Sequence, residues 1–204
     1  MKFVGLTGGI ASGKSTVAGM LREFGAKIIN ADDLARVIVQ PGKEAWKEIV
    51  GAFGNEILRP DRTIDREKLR KIIFGDDQAR ARLDAITHPR IRALALARAQ
   101  ELGAKGAEVI VYEAPLLFEN QAHTWLSPVI VVTCDDASQR RRLKGRDRLS
   151  ETEIDQHIQA QMPLAEKRAL ADYVIENNGD LDDLKRQVRE VWTKLVPAKQ
   201  SATR

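Results

Sequence analysis

Eight residues near the start of the chain constrain its fold more than any other feature. Gly8-Gly9-Ile10-Ala11-Ser12-Gly13-Lys14-Ser15 fits G-x-x-x-x-G-K-[ST] at every fixed position, directly after the apolar run Phe3 to Thr7 and directly before a helical pattern. Glycines here let successive backbone N–H groups curl around a polyphosphate, which the positive end of the next helix also attracts. In such a loop Gly8, Gly9, Ala11, Ser12 and Gly13 form the cradle and Lys14 reaches the β- and γ-phosphates. Ser15 offers a hydroxyl to Mg²⁺, and the Thr16 hydroxyl can reach an α-phosphate oxygen. The motif requires a strand, a tight loop and a helix in that order. The rival glycine signature for dinucleotides, G-x-G-x-x-G, does not occur.

The rest of the chain repeats the strand-helix alternation. Phe3 to Thr7, Lys27 to Asn30, Glu108 to Glu113, Val129 to Thr133 and Tyr173 to Asn177 are short β-branched runs, each reading as a buried strand. Their connections are long and helical, which makes the strands parallel with helices on both faces. The expected fold is an α/β P-loop NTPase sandwich with a five-stranded parallel sheet, residues 1–204 forming one domain. After Gly13, Val17, Leu21 and Phe24 share a helix face, and Gly25 is placed to end that helix in a left-handed conformation. Residues 31 to 107 are far more than one crossover needs, and they carry helical patterns near 43–53, 65–74, 77–86 and 89–102. They read as an inserted helical subdomain, bounded at 57–105. A second helical insertion at 138–165, read as a helical hairpin, contains Ser150 with Glu153 three residues on, a capping box leading into Ile154 and Ile158.

Composition narrows the function. With 43% hydrophobic and 30% charged residues over 204 positions, the chain is globular rather than disordered or fibrous. Its longest strongly apolar stretch, Val129 to Val132, is far below the roughly 18 residues of a membrane span. Thr7-Gly8-Gly9 interrupts the apolar start before a signal-peptide core can form, so a cytoplasmic address is expected. Cys134 is the only cysteine, which leaves no internal disulfide and suggests a buried thiol. A net charge of +4 favours anionic partners without naming them. Arg140, Arg141, Arg142, Lys144, Arg146 and Arg148 crowd one segment, yet no aromatic residue for base stacking falls between Trp125 and Tyr173. Nucleic acid is therefore not the expected partner, and the absence of N-K-x-D argues against a guanine switch.

Candidate acceptor residues follow the strands. Asn30-Ala31-Asp32-Asp33 leaves the second strand at the carboxyl edge, where an acceptor hydroxyl needs a base. Asp33 suits the cap of a helix Leu34 to Val39, and Asp32 is the better base. Glu113 ends the third strand, either binding a metal-bound water or the acceptor, or simply exposed there. Pro115 and Leu116-Leu117-Phe118 lead to Glu119 in a turn whose apolar residues either pack or line a pocket. His88 before Pro89 reads as a helix cap or an acceptor contact. His123 and His157 read as surface residues, and Trp46, Trp125 and Trp192 as packing residues.

Taken in order and spacing, these residues resemble the dephospho-CoA kinase family over nearly the whole chain. The resemblance rests on Leu6-Thr7-Gly8-Gly9-Ile10, Ala31-Asp32, and Ile64-Asp65-Arg66 with Leu69 and Phe74. It continues through His88-Pro89, Pro115 to Glu119, Arg142 with Arg146, Gln161, and Ala171-Asp172-Tyr173-Val174-Ile175 followed by Asn177, Asn178 and Gly179. Asn30 stands where the family often has Asp, and Ala11 where Gly is usual. The resemblance implies transfer of the γ-phosphate of ATP to the ribose 3′-hydroxyl of dephospho-CoA, the last step of coenzyme A biosynthesis. Asp32 would orient and deprotonate the hydroxyl, Lys14 and Mg²⁺ would neutralise the phosphoryl group, and Arg142 and Arg146 would be lid arginines. Asn177 to Gly179 would belong to an adenine-binding loop. His88, Glu113, Pro115 and Leu116 would contact the acceptor, with Ser15 on the metal directly and Glu113 through water. The expected partner is the small-molecule substrate alone, with no nucleic acid or membrane, and the chain a monomer or weak homo-oligomer. A nucleoside or nucleotide kinase shares sheet, loop and lid and differs in the acceptor it prefers.

Overall fold

The computed structural model describes residues 1–147 and 149–196, less the side chains at 146 and 147. Five strands, β1 (Lys2–Gly8), β2 (Lys27–Asn30), β3 (Val109–Glu113), β4 (Val129–Thr133) and β5 (Tyr173–Glu176), lie in the order β2-β3-β1-β4-β5. β1 runs parallel to β3 and β4, and β4 to β5. β3 and β4 are buried at every position, which is why both read as unbroken apolar runs rather than alternating ones. The central place of β1 sets the loop that follows it in the middle of the sheet's carboxyl edge. No helix among the described residues is long and apolar enough to cross a membrane.

Two helices close one face of the sheet. Helix α1 (Lys14–Glu23) brings down Val17 and Leu21, and Gly25, at φ +113°, ends it as expected while the Ala26 N–H bonds the Leu21 carbonyl at 2.9 Å. The last described helix (Leu181–Leu195) is capped by Asp180 and buries Leu184, Val188, Val191 and Leu195 at the spacing of one helical stripe. They join Val4, Leu6, Val111, Ile130, Val132 and Ile175 in one core. Each such side chain contributes roughly 1.5–3 kcal/mol by leaving water.

The chain forms two compact units, Met1–Ile29 with Ala99–Arg204, and Asn30–Arg98. The second takes in α2 (Ala31–Ile38) and α3 (Glu44–Phe53) as well as α4 (Arg66–Ile73) and the first part of α5 (Asp77–Ala104). Its own core is Trp46, Ile49, Phe53, Ile57, Ile64 and Leu69, with the Trp46 indole N–H on the Arg62 carbonyl at 2.8 Å. Sequence reading divides α5 into two helices, 77–86 and 89–102, but it is continuous, with Pro89 inside it. A proline interior to a helix costs about 3 kcal/mol. Here Leu83 and Ile86 pack into the unit's core on one side of Pro89, and Ala95 and Ala99 are buried on the other, so both halves are held in helix. The Arg90 guanidinium also donates to the Ile86 carbonyl at 2.7 Å.

The remaining helices are α6 (Asp136–Asp147), α7 (Glu151–Gln159), α8 (Leu164–Ala169) and α9, the Leu181–Leu195 helix. Ser150 and Glu153 form the expected capping box at the start of α7.

Candidate active site

The loop between β1 and α1 is built by close approach. A Cβ at Gly8 would lie 2.5 Å from the Val132 carbonyl oxygen, so glycine is what lets β1 and β4 meet there. Gly13 has φ +95°, and a Cβ would lie 2.1 Å from Asn177 Nδ2, so conformation and space both demand glycine. Asn177 Nδ2 in turn donates to the Ser12 carbonyl at 2.8 Å. Ala11, at φ +56°, occupies the left-handed region without being glycine, which costs an L-residue about 1–2 kcal/mol. The loop is therefore held by the fold around it.

Lys14 and Ser15 meet a carboxylate from β3. Lys14 Nζ lies 2.5 Å from Glu113 Oε1, and the Ser15 hydroxyl donates to the same oxygen at 3.2 Å. Glu113 is 6% exposed, which overturns its reading as an exposed strand end. A buried carboxylate needs a partner, because an uncompensated charge there would cost several kcal/mol. Ser15 and Thr16 remain exposed at the helix start. A hydroxyl and a carboxylate 3.2 Å apart are hard oxygen donors, a set that fits Mg²⁺, which takes few protein ligands and several waters or phosphate oxygens.

The turn after β3 carries a link that sequence reading missed. Lys167, in α8, is fully buried, with Nζ 2.8 Å from Glu119 Oε1 and donating to the Pro115 carbonyl at 2.9 Å. Glu119 Oε1 also accepts from the Met162 N–H at 2.9 Å, and Thr7 Oγ1 donates to the Pro115 carbonyl at 3.2 Å. Leu117 and Phe118 are buried, which settles them as packing residues, while Leu116 is 36% exposed. Only the burial of a lysine in an otherwise ordinary helix betrays this link, and burial cannot be read from the local pattern.

The arginine-rich segment divides its basic residues. Arg140 pairs with Asp155 at 2.7 Å and Asp136 at 2.8 Å, and Lys144 with Glu151 at 2.9 Å, stitching α6 to α7. Hydrogen bonding to Asp155, then to Asp136, holds the Arg140 guanidinium above its usual pKa, and Glu151 does the same for Lys144. Much of the basic cluster is thus paired internally. Arg142 turns toward the loop, its Nη2 donating to the Asn177 carbonyl at 2.9 Å and Nη1 reaching the Ser12 and Ala11 carbonyls at 3.4 and 3.5 Å. Arg146 lies within α6, and its side chain is outside the described residues. Cys134 is buried as expected; burial pushes its thiol pKa up, with Arg142 opposing. A recess of about 310 Å³ at the carboxyl ends of β4 and β5 is lined by Cys134, Asp135, Leu164, Arg168 and Asn178. Gly179 follows, exposed, and the Asn178 side chain accepts from the Asp135 N–H at 2.8 Å.

In the second unit, Asn30 is the cap of α2. Its Oδ1 accepts from the N–H groups of Asp32 at 2.8 Å and Asp33 at 3.3 Å. This corrects the assignment of the cap to Asp33, which instead pairs with Arg36 at 3.0 Å. The helix begins three residues earlier than expected because the amide of Asn30 caps as well as a carboxylate does. Asp32 is exposed in its first turn. His88 caps nothing: it sits inside α5 with Nε2 3.3 Å from Asp84, one helical turn back.

Comparison with known proteins adds an independent observation. A family model described as dephospho-CoA kinase matches residues 2–183. The dephospho-CoA kinase of Geobacter sulfurreducens is 51% identical over 197 residues, covering 97% of this chain and 100% of that protein. Among solved structures, TT1252 from Thermus thermophilus is 34% identical with a TM-score of 0.81, covering 96% of this chain and 98% of that one. Dephospho-CoA kinase from Campylobacter jejuni is 31% identical with a TM-score of 0.72 over the same shares.

Proposed function

Because the chain belongs to the dephospho-CoA kinase family, we propose that it transfers the γ-phosphoryl group of ATP to the ribose 3′-hydroxyl of dephospho-CoA, giving coenzyme A and ADP. The observation that carries the reading is the convergence of Lys14 and Ser15 on one Glu113 carboxylate oxygen at the mouth of a loop shaped for polyphosphate. Lys14 exchanges the Glu113 carboxylate for the β- and γ-phosphates when ATP enters, one anion replacing another. Ser15 directly, and Glu113 through water, are the residues that would hold Mg²⁺, which supplies neutralisation of charge on the phosphate oxygens.

Asp32 is the residue for the acceptor hydroxyl. Its carboxylate takes the proton as the 3′-oxygen bonds to the γ-phosphorus, while the bond to the bridging oxygen breaks and ADP leaves with that electron pair. An exposed carboxylate in the first turn of α2 is open to solvent until an acceptor covers it. Arg142 and Arg146 bring positive charge from the lid, whose closure keeps water from taking the phosphoryl group instead. Gly8, Gly9, Ala11, Ser12, Gly13 and Thr16 bind the triphosphate, and Asn177 and Gly179 border the base. Of the acceptor contacts, Leu116 is the exposed apolar side chain of its turn, beside Pro115, and His88 is partly exposed on α5. The chain works on this small molecule as a monomer or weak homo-oligomer in the cytoplasm, without nucleic acid or membrane.

The test is acceptor preference, read as ADP release with saturating ATP. Dephospho-CoA should exceed nucleosides and nucleotides by about a hundredfold or more in kcat/KM, because its remote groups contribute binding the others lack. A nucleoside or nucleotide turned over equally well would overturn the reading.

A further inference from the structure

Residues Gly9 to Ser12 form a turn closed by the Ser12 N–H on the Gly9 carbonyl at 3.1 Å. Its third residue, Ala11, has φ +56°, a state that turns normally give to glycine or asparagine. The Cβ of alanine opposes this state, so left alone the loop would spend much of its time elsewhere. Two glutamines act on the peptide groups just before Ala11. Gln139 Nε2 donates to the Ile10 carbonyl at 2.8 Å, and the Ile10 N–H donates to Gln161 Oε1 at 2.9 Å. Gln139 belongs to α6 and is buried; Gln161 follows α7. The two therefore stand near opposite ends of the lid segment and take up both backbone polar groups of one loop residue.

We infer that Gln139 and Gln161 are positioning residues for the phosphoryl donor, holding Ile10 and Ala11 in the left-handed turn that the triphosphate needs. They touch no reacting atom. They act through the loop, and they tie its shape to the roots of the lid. The inference rests on the reading of this loop as the ATP phosphate site and adds how that site is kept in shape. It also states why alanine is tolerated at position 11: hydrogen bonds from outside the loop supply the restraint that glycine would make unnecessary.

The experiment is a double-mutant cycle read by ATP binding in a calorimeter, without acceptor, together with amide hydrogen exchange at Ile10. Gln139→Ala and Gln161→Ala should each weaken ATP binding about tenfold, or ~1.4 kcal/mol. Ile10 exchange should accelerate in Gln161→Ala while thermal unfolding of the whole chain stays close to wild type. In an Ala11→Gly background the same glutamine replacements should cost less than about threefold, since glycine enters the turn without the Cβ penalty. Equal losses in both backgrounds, or wild-type ATP binding in the glutamine variants, would overturn the inference. Should an alanine variant fail to fold, Gln161→Glu keeps an acceptor for the Ile10 N–H and should preserve its protection; loss of that protection would also overturn it. Absence of ATP binding by the wild-type chain would instead overturn the reading of the loop itself, so the two failures are distinguishable.

Discussion

The two compact units are held by different kinds of contact. Around the phosphate loop, side chains act across great sequence distance: Gln161 on Ile10, Asn177 on Ser12, Glu113 on Lys14, Lys167 on Pro115. In Asn30–Arg98 many polar contacts are local and exposed: Arg36 with Asp33, Lys47 with Glu44, Lys71 with Glu67, His88 with Asp84. Non-local, buried contacts fix a shape closely, as a loop of backbone donors requires. Exposed pairs three or four residues apart contribute a few tenths of a kcal/mol each and leave helix ends free to adjust. The unit that holds the phosphate loop is thus fixed by contacts from far along the chain, while the unit carrying Asp32 relies more on contacts within single helices.

The largest expected effect tests whether embedding and chemical importance are separate properties. Asp32 is exposed, yet Asp32→Asn should lower kcat by roughly 100-fold to 10,000-fold, with ATP affinity little changed, because the amide cannot take a proton. Asp33→Asn, which loses only an exposed pair with Arg36, should stay within about twofold of wild type. Steady-state rates at saturating ATP and dephospho-CoA compare the two. A nearly normal Asp32→Asn beside an inactive Asp33→Asn would exchange their roles.

The next effect is on stability and sharpens the contrast from the other side. Lys167→Ala leaves Glu119 without its cation, and Glu119 Oε2 is already buried with no hydrogen-bond partner among the described residues. Breaking such a pair from one side costs about 3–5 kcal/mol. At about 2–4 °C per kcal/mol for a chain of this size, thermal unfolding should move down by roughly 6–20 °C. Removing both charges with Lys167→Met and Glu119→Gln should recover most of that loss, because no uncompensated charge remains. Calorimetric melting of the two variants decides it; equal losses would show that packing rather than charge is the cause.

The same contrast explains what could be read from the sequence. The five strands, the phosphate loop, the left-handed Gly25 and the Ser150 capping box all follow from patterns a few residues long, and all four were legible. Pro89 misled for the reason that local rules sometimes do: it is a helix breaker overridden by the packing of partly buried Leu83 and Ile86 and of buried Ala95. Asp33 was given the cap by a rule that serves Asn30 equally well. Lys167 and Gln139 were out of reach, since nothing within ten residues of either marks its partner; Arg142 was expected over the loop, but not its bonds to the carbonyls of Ala11, Ser12 and Asn177. At the candidate site the motif marked Lys14 and Ser15, which the structure brings together at Glu113, while the long-range contacts that hold the loop in place were not legible.

The smallest expected effect belongs to Asn30, and it probes the local kind of contact directly. Asn30→Ala removes the acceptor for the Asp32 and Asp33 N–H groups at the start of α2. Loss of a cap costs about 1 kcal/mol, and both donors lie at an exposed helix end where water can replace the lost acceptor. Thermal unfolding should therefore fall by only about 2–4 °C, well short of Lys167→Ala. Asn30→Asp should hold stability at or slightly above wild type, because a carboxylate caps as well as an amide and complements the positive helix end. Turnover is the finer measure. Freed from its cap, the first turn of α2 carries Asp32 with more latitude, so Asn30→Ala should lower kcat by several-fold, with Asn30→Asp restoring it and KM for ATP unmoved in both. A melting loss as large as that of Lys167→Ala would show that α2 is anchored as tightly as the phosphate loop, and the distinction between the two units would fall.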